Sequence, residues 1–549
     1  MTNLNNMKRK FWMGILLVLV SWQIMAQGEY TLKNEFVETV DGMKLATDVY
    51  LPVETGRYPV ILVRTPYFRG NFKKNAAAFA GQGYAVVVQD CRGKFDSDGE
   101  FYAFQNERTD GLKTVAWIRE QPWCNDKIAG YGSSYNTCTQ WAIADQLDVV
   151  LSEMGSASLY DLIYPQGLFS LATACNWGLI VDTKTVIPLP PETIAAKIQK
   201  SYRHLPLSVA DDSTFKDNRF FNDWLRHEKD DRYWKAMNYR KTANATVLSI
   251  AGWYDIFLLA QLNDFIEIDR RTCNPGNRII IGPWCHGPQA FKNEYGGGDK
   301  TGRRQALQER FLEKTMLGKD TEIPGAPFTD HKYNFFIMER NAYFGSDCWP
   351  PKEVSPQVFY LTDGGIKLEK PVEFAYRQYT YDPASPFPNI GGTFIGLDTG
   401  PGVQNKNSSR PDQWVFESDV LREPLVLLGA VNASLYVSSS AAHTDFMILV
   451  QDVSPNDTII NIQEGGKHVR LRPGKITRVD LESWPTGYQL NPGHRLRIVI
   501  TSAWFPRYNR NMNTGEPISS ARECRTATQT FYSGPAHPSK ITLPVLTIP

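Results

Sequence analysis

Residues 130–141 read Gly-Tyr-Gly-Ser-Ser-Tyr-Asn-Thr-Cys-Thr-Gln-Trp, and no other stretch says as much about the fold. It follows two apolar residues typical of a short strand, Ile128 and Ala129, and leads into the apolar residues 141–144, which favour a helix. Ser134 therefore lies where a strand turns sharply into a helix. A serine at such a turn exposes its hydroxyl above the sheet and has its amide at the positive end of the helix, so the stretch predicts a nucleophile.

The turn requires small neighbours, because the strand and the helix approach each other closely. Gly132, two residues before Ser134, meets this requirement, whereas Asn136, two residues after it, is bulkier than the usual glycine. Ser133 is the weaker nucleophile candidate, since it would place Tyr131 at the crowded position. Taken alone, a Gly-x-Ser in a chain with 41 glycines is also compatible with an ordinary turn.

The length and charge of the chain limit its architecture and its partners. With 549 residues it is too long for one hydrophobic core, so two or three domains are expected. The net charge is +1, and it becomes −2 if residues 1–26, with three cations and no acid, are removed. This balance argues against nucleic acid or an anionic membrane as partner and favours a small or peptide-like ligand. It leaves the oligomeric state open.

Residues 1–26 have the features of an export signal. Residues 8–10 are all basic, residues 11–20 are nearly all apolar, and Ala26 is a suitable cleavage point. The apolar run is shorter than the roughly 20 residues that a membrane span needs. We therefore expect a periplasmic or secreted protein without stable membrane insertion, and an uncleaved N-terminal anchor is the alternative.

Alternating strand and helix patterns predict an α/β domain, followed by an all-β domain. Continuous apolar runs such as residues 59–63 are typical of strands buried on both faces of a mostly parallel sheet. This rhythm occupies residues 27–150 and returns at 241–349. Residues 151–240 are helix-like and rich in aromatics, which predicts a helical cap whose aromatics mostly form a small core of their own. Short alternating strands over 350–549, separated by Pro, Gly and Asn, predict a jelly-roll domain.

A serine nucleophile needs a base, and the base needs a carboxylate that orients it. Two later apolar strand patterns are followed by Asp255 and by His286. These residues and Ser134 occur in the order Ser, Asp, His that is typical of an α/β-hydrolase. We therefore predict that His286 takes the proton from Ser134 and that Asp255 orients the imidazole. Asp90 also follows a strand, but it precedes Ser134 and breaks this order.

The cysteines do not have the spacing of a metal site, and no metal or other cofactor is expected. Cys285, next to the candidate base, is compatible with a thiol role, but a small buried hydrophobic residue is the simpler interpretation. The spacings name no disulfide pairs. The eight cysteines are Cys91, Cys124, Cys138, Cys175, Cys273, Cys285, Cys348 and Cys524.

Over nearly all of the sequence after residue 26, the chain resembles the cocaine esterase, Xaa-Pro dipeptidyl peptidase and α-amino acid ester hydrolase family of serine hydrolases. The motifs that carry the resemblance come from both halves of the chain and occur in the family's order. They lie at residues 64–67, 90–93, 134–135, 252–255, 282–284, 382–384, 438–440, 492–495 and 505–508.

The resemblance implies an α/β-hydrolase fold with a helical cap and a C-terminal jelly roll, and a catalytic triad of Ser134, Asp255 and His286. It also implies an oxyanion hole made of the Tyr67 hydroxyl and the backbone amide of Tyr135. Two such donors aimed at a developing oxyanion stabilise the transition state of acyl transfer.

Two departures from the family pattern are informative. The family usually has glycine three residues after the serine, where this chain has Thr137. Its amino-ester hydrolases carry acidic residues two and three positions after the aspartate, to hold a substrate ammonium, where this chain has Phe257 and Leu258. This difference predicts an apolar pocket wall, with Phe257 at the position of a pocket phenylalanine in the cocaine esterases. Trp177 and Tyr164 are further pocket candidates.

The predicted function is an exported serine hydrolase that cleaves carboxylic esters, or amides, with an uncharged or aromatic acyl group through an acyl-enzyme at Ser134. Its expected substrate is a small-molecule ester or a short peptide. An Xaa-Pro dipeptidyl peptidase or α-amino acid ester hydrolase is the alternative; such an activity needs a carboxylate for the substrate ammonium, and Asp161 in the cap is the nearest candidate. A non-catalytic glycan-binding protein is the third hypothesis.

Overall fold

The computed structural model describes residues 29–181, 183–185, 191–211, 218–286, 303–319, 331–396 and 399–548. The export signal predicted over residues 1–26 lies outside these ranges. Within them, no helix is long and apolar enough to cross a membrane.

Ten strands form one large sheet in the order β1-β2-β4-β3-β5-β6-β7-β8-β9-β10. All pairs from β4 to β9 in this order are parallel, whereas β1–β2, β2–β4 and β9–β10 are antiparallel. The predicted α/β fold is thereby confirmed. The strands are β1 Tyr30–Glu38, β2 Lys44–Pro52, β3 Tyr58–Thr65, β4 Ala85–Asp90, β5 Cys124–Gly130, β6 Val149–Glu153, β7 Thr246–Tyr254, β8 Arg278–Cys285, β9 Tyr333–Ile337 and β10 Ala342–Ser346.

The α-helices in the described ranges either follow strands of this sheet or form the cap. Helices α1 to α3 and α9 to α10 belong to the sheet domain, because strands directly precede or follow them, and α4 to α8 lie between β6 and β7. The helices are α1 Lys73–Gly81, α2 Glu107–Arg119, α3 Tyr135–Trp141, α4 Leu159–Ile163, α5 Leu171–Val181, α6 Pro191–Arg203, α7 Arg219–Arg226, α8 Arg232–Lys235, α9 Leu258–Thr272 and α10 Arg303–Leu317.

The cap is helical, as predicted, but it begins later than residue 151. Strand β6 continues through Glu153 in the parallel sheet, and the first cap helix starts at Leu159. The aromatics of the cap share one hydrophobic cluster with Tyr135 of the sheet domain and Phe505 of the C-terminal domain. The core predicted for the cap alone is therefore shared with both neighbouring domains.

The C-terminal domain consists of two antiparallel sheets. Nine strands, β11 to β13, β15, β16, β19, β20, β22 and β23, form one sheet, and β14-β21-β17-β18 form the other. An antiparallel β domain is confirmed, while the jelly-roll connection in particular stays a prediction. The strands are β11 Val354–Thr362, β12 Gly365–Lys367, β13 Ala375–Tyr381, β14 Gln413–Glu417, β15 Leu425–Gly429, β16 Asn432–Ser439, β17 His443–Val453, β18 Ile459–Arg470, β19 Thr477–Glu482, β20 Thr486–Leu490, β21 Arg495–Thr501, β22 Ala527–Ser533 and β23 Lys540–Leu546.

The parallel strands bring the predicted site residues to one edge of the large sheet. Ser134 follows β5, Asp255 follows β7, and His286 follows β8, each within four residues of the strand's last residue. In a parallel sheet the carboxyl ends of the strands meet at the same edge, which is where such folds bind their ligands.

Candidate active site

Ser134 occupies a strained turn between β5 and α3. Its backbone angles are φ 58° and ψ −126°, a conformation that residues other than glycine rarely adopt. The turn is held by the Ser134 amide, which donates to the Glu153 carbonyl at 3.0 Å. Gly132 contributes a φ of 125°, and a Cβ there would lie 2.7 Å from the Cβ of Asn136. The glycine before the serine thus makes room for the bulky residue after it.

Thr137 is accommodated by a glycine from another segment. A Cβ on Gly155, just after β6, would lie only 2.4 Å from the Thr137 Cβ. The buried Thr137 hydroxyl lies 2.9 Å from the carbonyl oxygens of both Gly132 and Glu153. The usual family glycine at the position of Thr137 leaves room for close packing of the helix. Here Gly155, on the segment that packs against this helix, leaves that room instead.

Ser134, His286 and Asp255 form a continuous hydrogen-bonded chain. The Ser134 Oγ lies 3.0 Å from His286 Nε2, and His286 Nδ1 lies 2.8 Å from Asp255 Oδ2. The Asp255 side chain is fully buried, and its other oxygen accepts the backbone N–H of Phe257 at 2.8 Å. Because an ionised carboxylate only accepts hydrogen bonds, the neutral imidazole carries its proton on Nδ1. Nε2 is then free to accept the proton of the Ser134 hydroxyl.

The Tyr67 phenol lies beside this chain as a hydrogen-bond donor. Its oxygen accepts the indole N–H of Trp177 at 2.8 Å, which leaves its own proton to be donated elsewhere. Burial raises the pKa of the Tyr67 phenol, and hydrogen bonds with Trp177 and Ser134 offset this only in part. The phenol therefore stays protonated at neutral pH, as a donor to an oxyanion requires.

Tyr135 supplies an amide at the first position of α3 and an anchored ring behind it. The amide of the first helical residue has no carbonyl partner within its own helix. The phenol donates to Glu107 at 2.7 Å and accepts the Phe104 amide at 2.9 Å, and burial raises its pKa well above the usual value. The fully buried Arg64 pairs with Glu107 at 3.0 Å. This buried network fixes the side chain of Tyr135, whose amide is the predicted oxyanion-hole donor.

A largely apolar pocket, partly open to solvent, contains Ser134 in its wall. Phe257 and Trp177, two of the pocket candidates named from the sequence, are among its lining residues. The Trp177 ring stacks on Tyr135 at 5.6 Å and on Trp224 at 6.0 Å between centroids. The other lining residues, which sequence analysis did not identify as pocket residues, are Phe104, Tyr135, Leu162, Ile163, Thr173, Ala174, Trp224, Ile256 and Ile395.

Two sequence-based pocket assignments need correction. Tyr164 does not line the pocket: its ring stacks on Tyr160 and its hydroxyl donates to the Trp224 carbonyl at 2.9 Å, behind the wall. Leu258 packs in the core of the sheet domain, because the turn after Asp255 directs Ile256 and Phe257 to the pocket instead. After Asp255, the pocket is thus lined by Ile256 and Phe257 instead of Phe257 and Leu258.

Asp90 is paired with Arg69, and Cys285 is a buried thiol, so neither is placed as a catalytic group. Asp90 accepts both the backbone N–H of Arg69, at 2.7 Å, and its guanidinium, at 2.5 Å. Cys285 is buried, and burial raises the pKa of its thiol to about 11. Both observations agree with the interpretation that neither side chain takes part in the reaction.

Comparison with known proteins identifies the family. Residues 41–288 match the model of the X-Pro dipeptidyl-peptidase (S15 family), and residues 333–542 match that of the X-Pro dipeptidyl-peptidase C-terminal non-catalytic domain. The chain is 30% identical over 579 aligned positions to the cocaine esterase of Rhodococcus sp. (strain MB1 Bresler), covering 95% of this chain and 100% of that protein.

Solved structures share the fold over the whole length. An aminopeptidase from a marine sediment archaeon, Thaumarchaeota archaeon, superposes with a TM-score of 0.80 at 21% identity, covering 96% of this chain and 98% of its own. An α-amino acid ester hydrolase superposes with a TM-score of 0.79 at 21% identity, covering 95% and 98%. The resemblance deduced from the sequence motifs is confirmed, and the chain belongs to the S15 family of serine esterases and peptidases and is a hydrolase.

Proposed function

We propose that this hydrolase cleaves carboxylic esters with an uncharged, preferably aromatic, acyl group through an acyl-enzyme at Ser134. The observation that carries the proposal is the pocket beside Ser134, whose described lining contains aromatic and aliphatic side chains and no carboxylate. Moving an uncharged, apolar acyl group from water into such a pocket is favourable, whereas an ammonium group would lose its hydration there without a compensating partner.

The hydrogen-bonded chain supports a two-step mechanism. Ser134 Oγ attacks the ester carbonyl while its proton passes to His286 Nε2, and Asp255 stabilises the resulting imidazolium. The Tyr67 hydroxyl and the Tyr135 amide donate to the oxyanion of the tetrahedral intermediate. When this intermediate collapses, the alcohol takes the proton from His286 and leaves. Water then attacks the acyl-enzyme with the same base, which releases the acid and restores Ser134.

Recognition of a substrate ammonium, as a dipeptidyl peptidase or amino-ester hydrolase requires, has little support in the pocket. Asp161, the candidate from sequence, pairs with Arg240 at 2.5 Å and is absent from the pocket lining. Arg240 also pairs with the buried Asp264 at 2.6 Å. The charge of Asp161 is thus paired with Arg240 rather than facing the pocket. The ester function is therefore the better supported proposal.

The decisive experiment combines active-site labelling with a substrate panel. The wild-type protein should react with a fluorophosphonate probe, Ser134→Ala should not, and Ser133→Ala should react normally as the matched control. In the panel, acetyl and benzoyl esters should be hydrolysed faster than glycyl esters and glycyl-prolyl amides. Absence of labelling would refute the acyl-enzyme, and faster turnover of the glycyl substrates would refute the proposed acyl specificity.

We also propose that the protein is exported, on the basis of the basic and apolar pattern in residues 1–26. Expression of the full chain in a Gram-negative host should yield a product that starts after Ala26 in the periplasmic fraction. N-terminal sequencing tests this directly, and an intact N-terminus on active enzyme retained with the membranes would support the anchor instead.

A further inference from the structure

Two polar groups in the pocket wall have no hydrogen-bond partner among the described residues, the Thr173 hydroxyl and the Trp224 indole N–H, and only the first can both donate and accept. Thr173, on α5, is only 3% exposed, and its hydroxyl oxygen is buried with no partner in the part of the chain that the structure describes. Other polar groups of the wall are engaged within the protein: Ser134 with His286, the Trp177 indole with Tyr67, and the Tyr135 phenol with Glu107. A buried hydroxyl without a partner costs stability, so its retention calls for a reason.

The partner that a helical threonine normally uses is already occupied. Such a hydroxyl usually bonds to the carbonyl four residues earlier, which here belongs to Phe169. That carbonyl accepts the amides of Leu171 and Asn509, both at 2.9 Å, which uses its two lone pairs. The next carbonyl, of Ser170, accepts the Ala174 amide at 2.9 Å. Since the Thr173 hydroxyl has no partner among the described residues and lines the pocket, it is available to a group inside the pocket.

Thr173 lines the same pocket as Ser134. Residues four apart on a helix lie on the same face, so Thr173 and Trp177 face the pocket together. Trp177 in turn holds the Tyr67 phenol beside Ser134. A group bound in the pocket beside Ser134 thus shares that pocket with both Trp177 and Thr173.

We propose that the Thr173 hydroxyl hydrogen-bonds a polar substituent on the aromatic acyl group, so that the preferred substrates are esters of hydroxyl-substituted aromatic acids. This inference rests on the proposed ester function and makes it more specific. A single hydroxyl in an apolar wall discriminates well, because a substrate that lacks the complementary group leaves it unpaired.

The test compares ethyl benzoate with ethyl 3-hydroxybenzoate and ethyl 4-hydroxybenzoate in three proteins. Thr173→Val keeps the shape of the side chain without the hydroxyl, and Thr173→Ser keeps the hydroxyl. For each ester, kcat/KM is divided by the rate constant of its alkaline hydrolysis, which corrects for intrinsic reactivity. In wild type this ratio should be higher for at least one hydroxybenzoate than for the benzoate. Thr173→Val should lose about tenfold on that ester and less than about twofold on the benzoate, whereas Thr173→Ser should retain the selectivity.

Thermal unfolding supplies an independent measurement. Since Thr173→Val removes an unpaired buried hydroxyl, its Tm should equal or exceed that of wild type. A clear fall in Tm would mean that the hydroxyl has a partner within the protein, and equal losses on all three esters would mean a merely structural role. Either result overturns the inference, as does an unselective wild type. If the wild type hydrolyses none of the three esters, the proposed function itself fails.

Discussion

At the scale of single residues, the Tyr67 hydroxyl is the group whose removal should most cleanly separate catalysis from binding. Its oxygen accepts a hydrogen bond from Trp177, and in the proposed mechanism its proton is donated to the oxyanion, which exists only in the transition state. Tyr67→Phe should lower kcat by about 10²–10³ and leave KM nearly unchanged. Trp177→Phe removes the hydrogen bond that orients the phenol and part of the ring that stacks on Tyr135 and Trp224, and it should lower kcat less than Tyr67→Phe. Steady-state kinetics on a benzoyl ester checks both, and a loss below fivefold for Tyr67→Phe would exclude the phenol from the oxyanion hole.

Cys285, although it directly precedes the proposed base His286, should be chemically inert. Burial raises the pKa of its thiol to about 11, so almost none is thiolate near pH 7.5, and only the thiolate reacts with alkylating agents. Iodoacetamide at pH 7.5 should modify the exposed Cys273 and Cys524 without loss of activity. Mass spectrometry locates the label, and Cys285→Ala should hydrolyse esters at close to the wild-type rate. Inactivation that tracks labelling of Cys285 would contradict this expectation.

At the scale of elements, the turn around Ser134 depends on the pairing of Thr137 with Gly155. A Cβ at Gly155 would meet the Thr137 Cβ at 2.4 Å and the Ser134 carbonyl at 2.9 Å. Gly155→Ala should therefore destabilise the catalytic domain by about 1–3 kcal/mol and reduce kcat through displacement of the serine. Adding Thr137→Gly should restore part of the stability and part of kcat, because the contact with the Thr137 Cβ, the closer of the two, disappears.

The matched control for this pair is Gly364→Ala, in an exposed turn where a Cβ meets nothing closer than 3.7 Å. It should leave Tm and kcat unchanged. Calorimetry and ester kinetics on the four proteins test the pairing. If the double variant is no better than Gly155→Ala alone, the two side chains do not compensate each other.

The positions of the three triad residues could be predicted from the sequence, but the pocket wall could not. The Ser134 turn and the strand ends before Asp255 and His286 are local patterns, and a parallel sheet necessarily brings such ends together. The pocket wall is not local, since it combines a loop residue, cap helices and Ile395 of the C-terminal domain. Tyr164 and Trp177 are both cap aromatics, and only the packing of the cap decides that one faces the pocket.

At the scale of the whole molecule, the C-terminal domain holds the helix that carries Thr173 and Trp177. The Pro506 carbonyl accepts the Ala172 amide at 3.0 Å, and the Arg507 guanidinium donates to the Ser170 hydroxyl at 3.0 Å. The same domain places Ile395 in the pocket wall. A domain whose family description is non-catalytic thus fixes the start of α5 and, through Trp177, the orientation of the Tyr67 phenol.

Arg507 is the centre of this contact and faces a buried acid. Its guanidinium lies 4.0 Å from Glu464, and both side chains are 1% exposed. Arg507→Met should leave Glu464 ionised without a counter-charge and destabilise the protein by about 3–5 kcal/mol. It should also lower kcat/KM, because α5 loses an anchor. Arg422→Met, at an exposed position, is the control and should change neither quantity.

The loss caused by Arg507→Met should depend on pH with a defined sign. Burial already raises the pKa of Glu464 above its unfolded-state value, and Arg507 counteracts this rise. A raised carboxyl pKa means that the ionised form costs folded-state stability at neutral pH and that the cost disappears as the pH falls and the group binds a proton. Without Arg507 the cost is larger, so the Tm difference from wild type should be greatest near pH 8 and shrink toward pH 5. Glu464→Gln combined with Arg507→Met should recover part of the Tm at pH 8 and little at pH 5. A Tm difference that is independent of pH would show that the two charges are not coupled, and that Arg507 stabilises α5 through its hydrogen bonds alone.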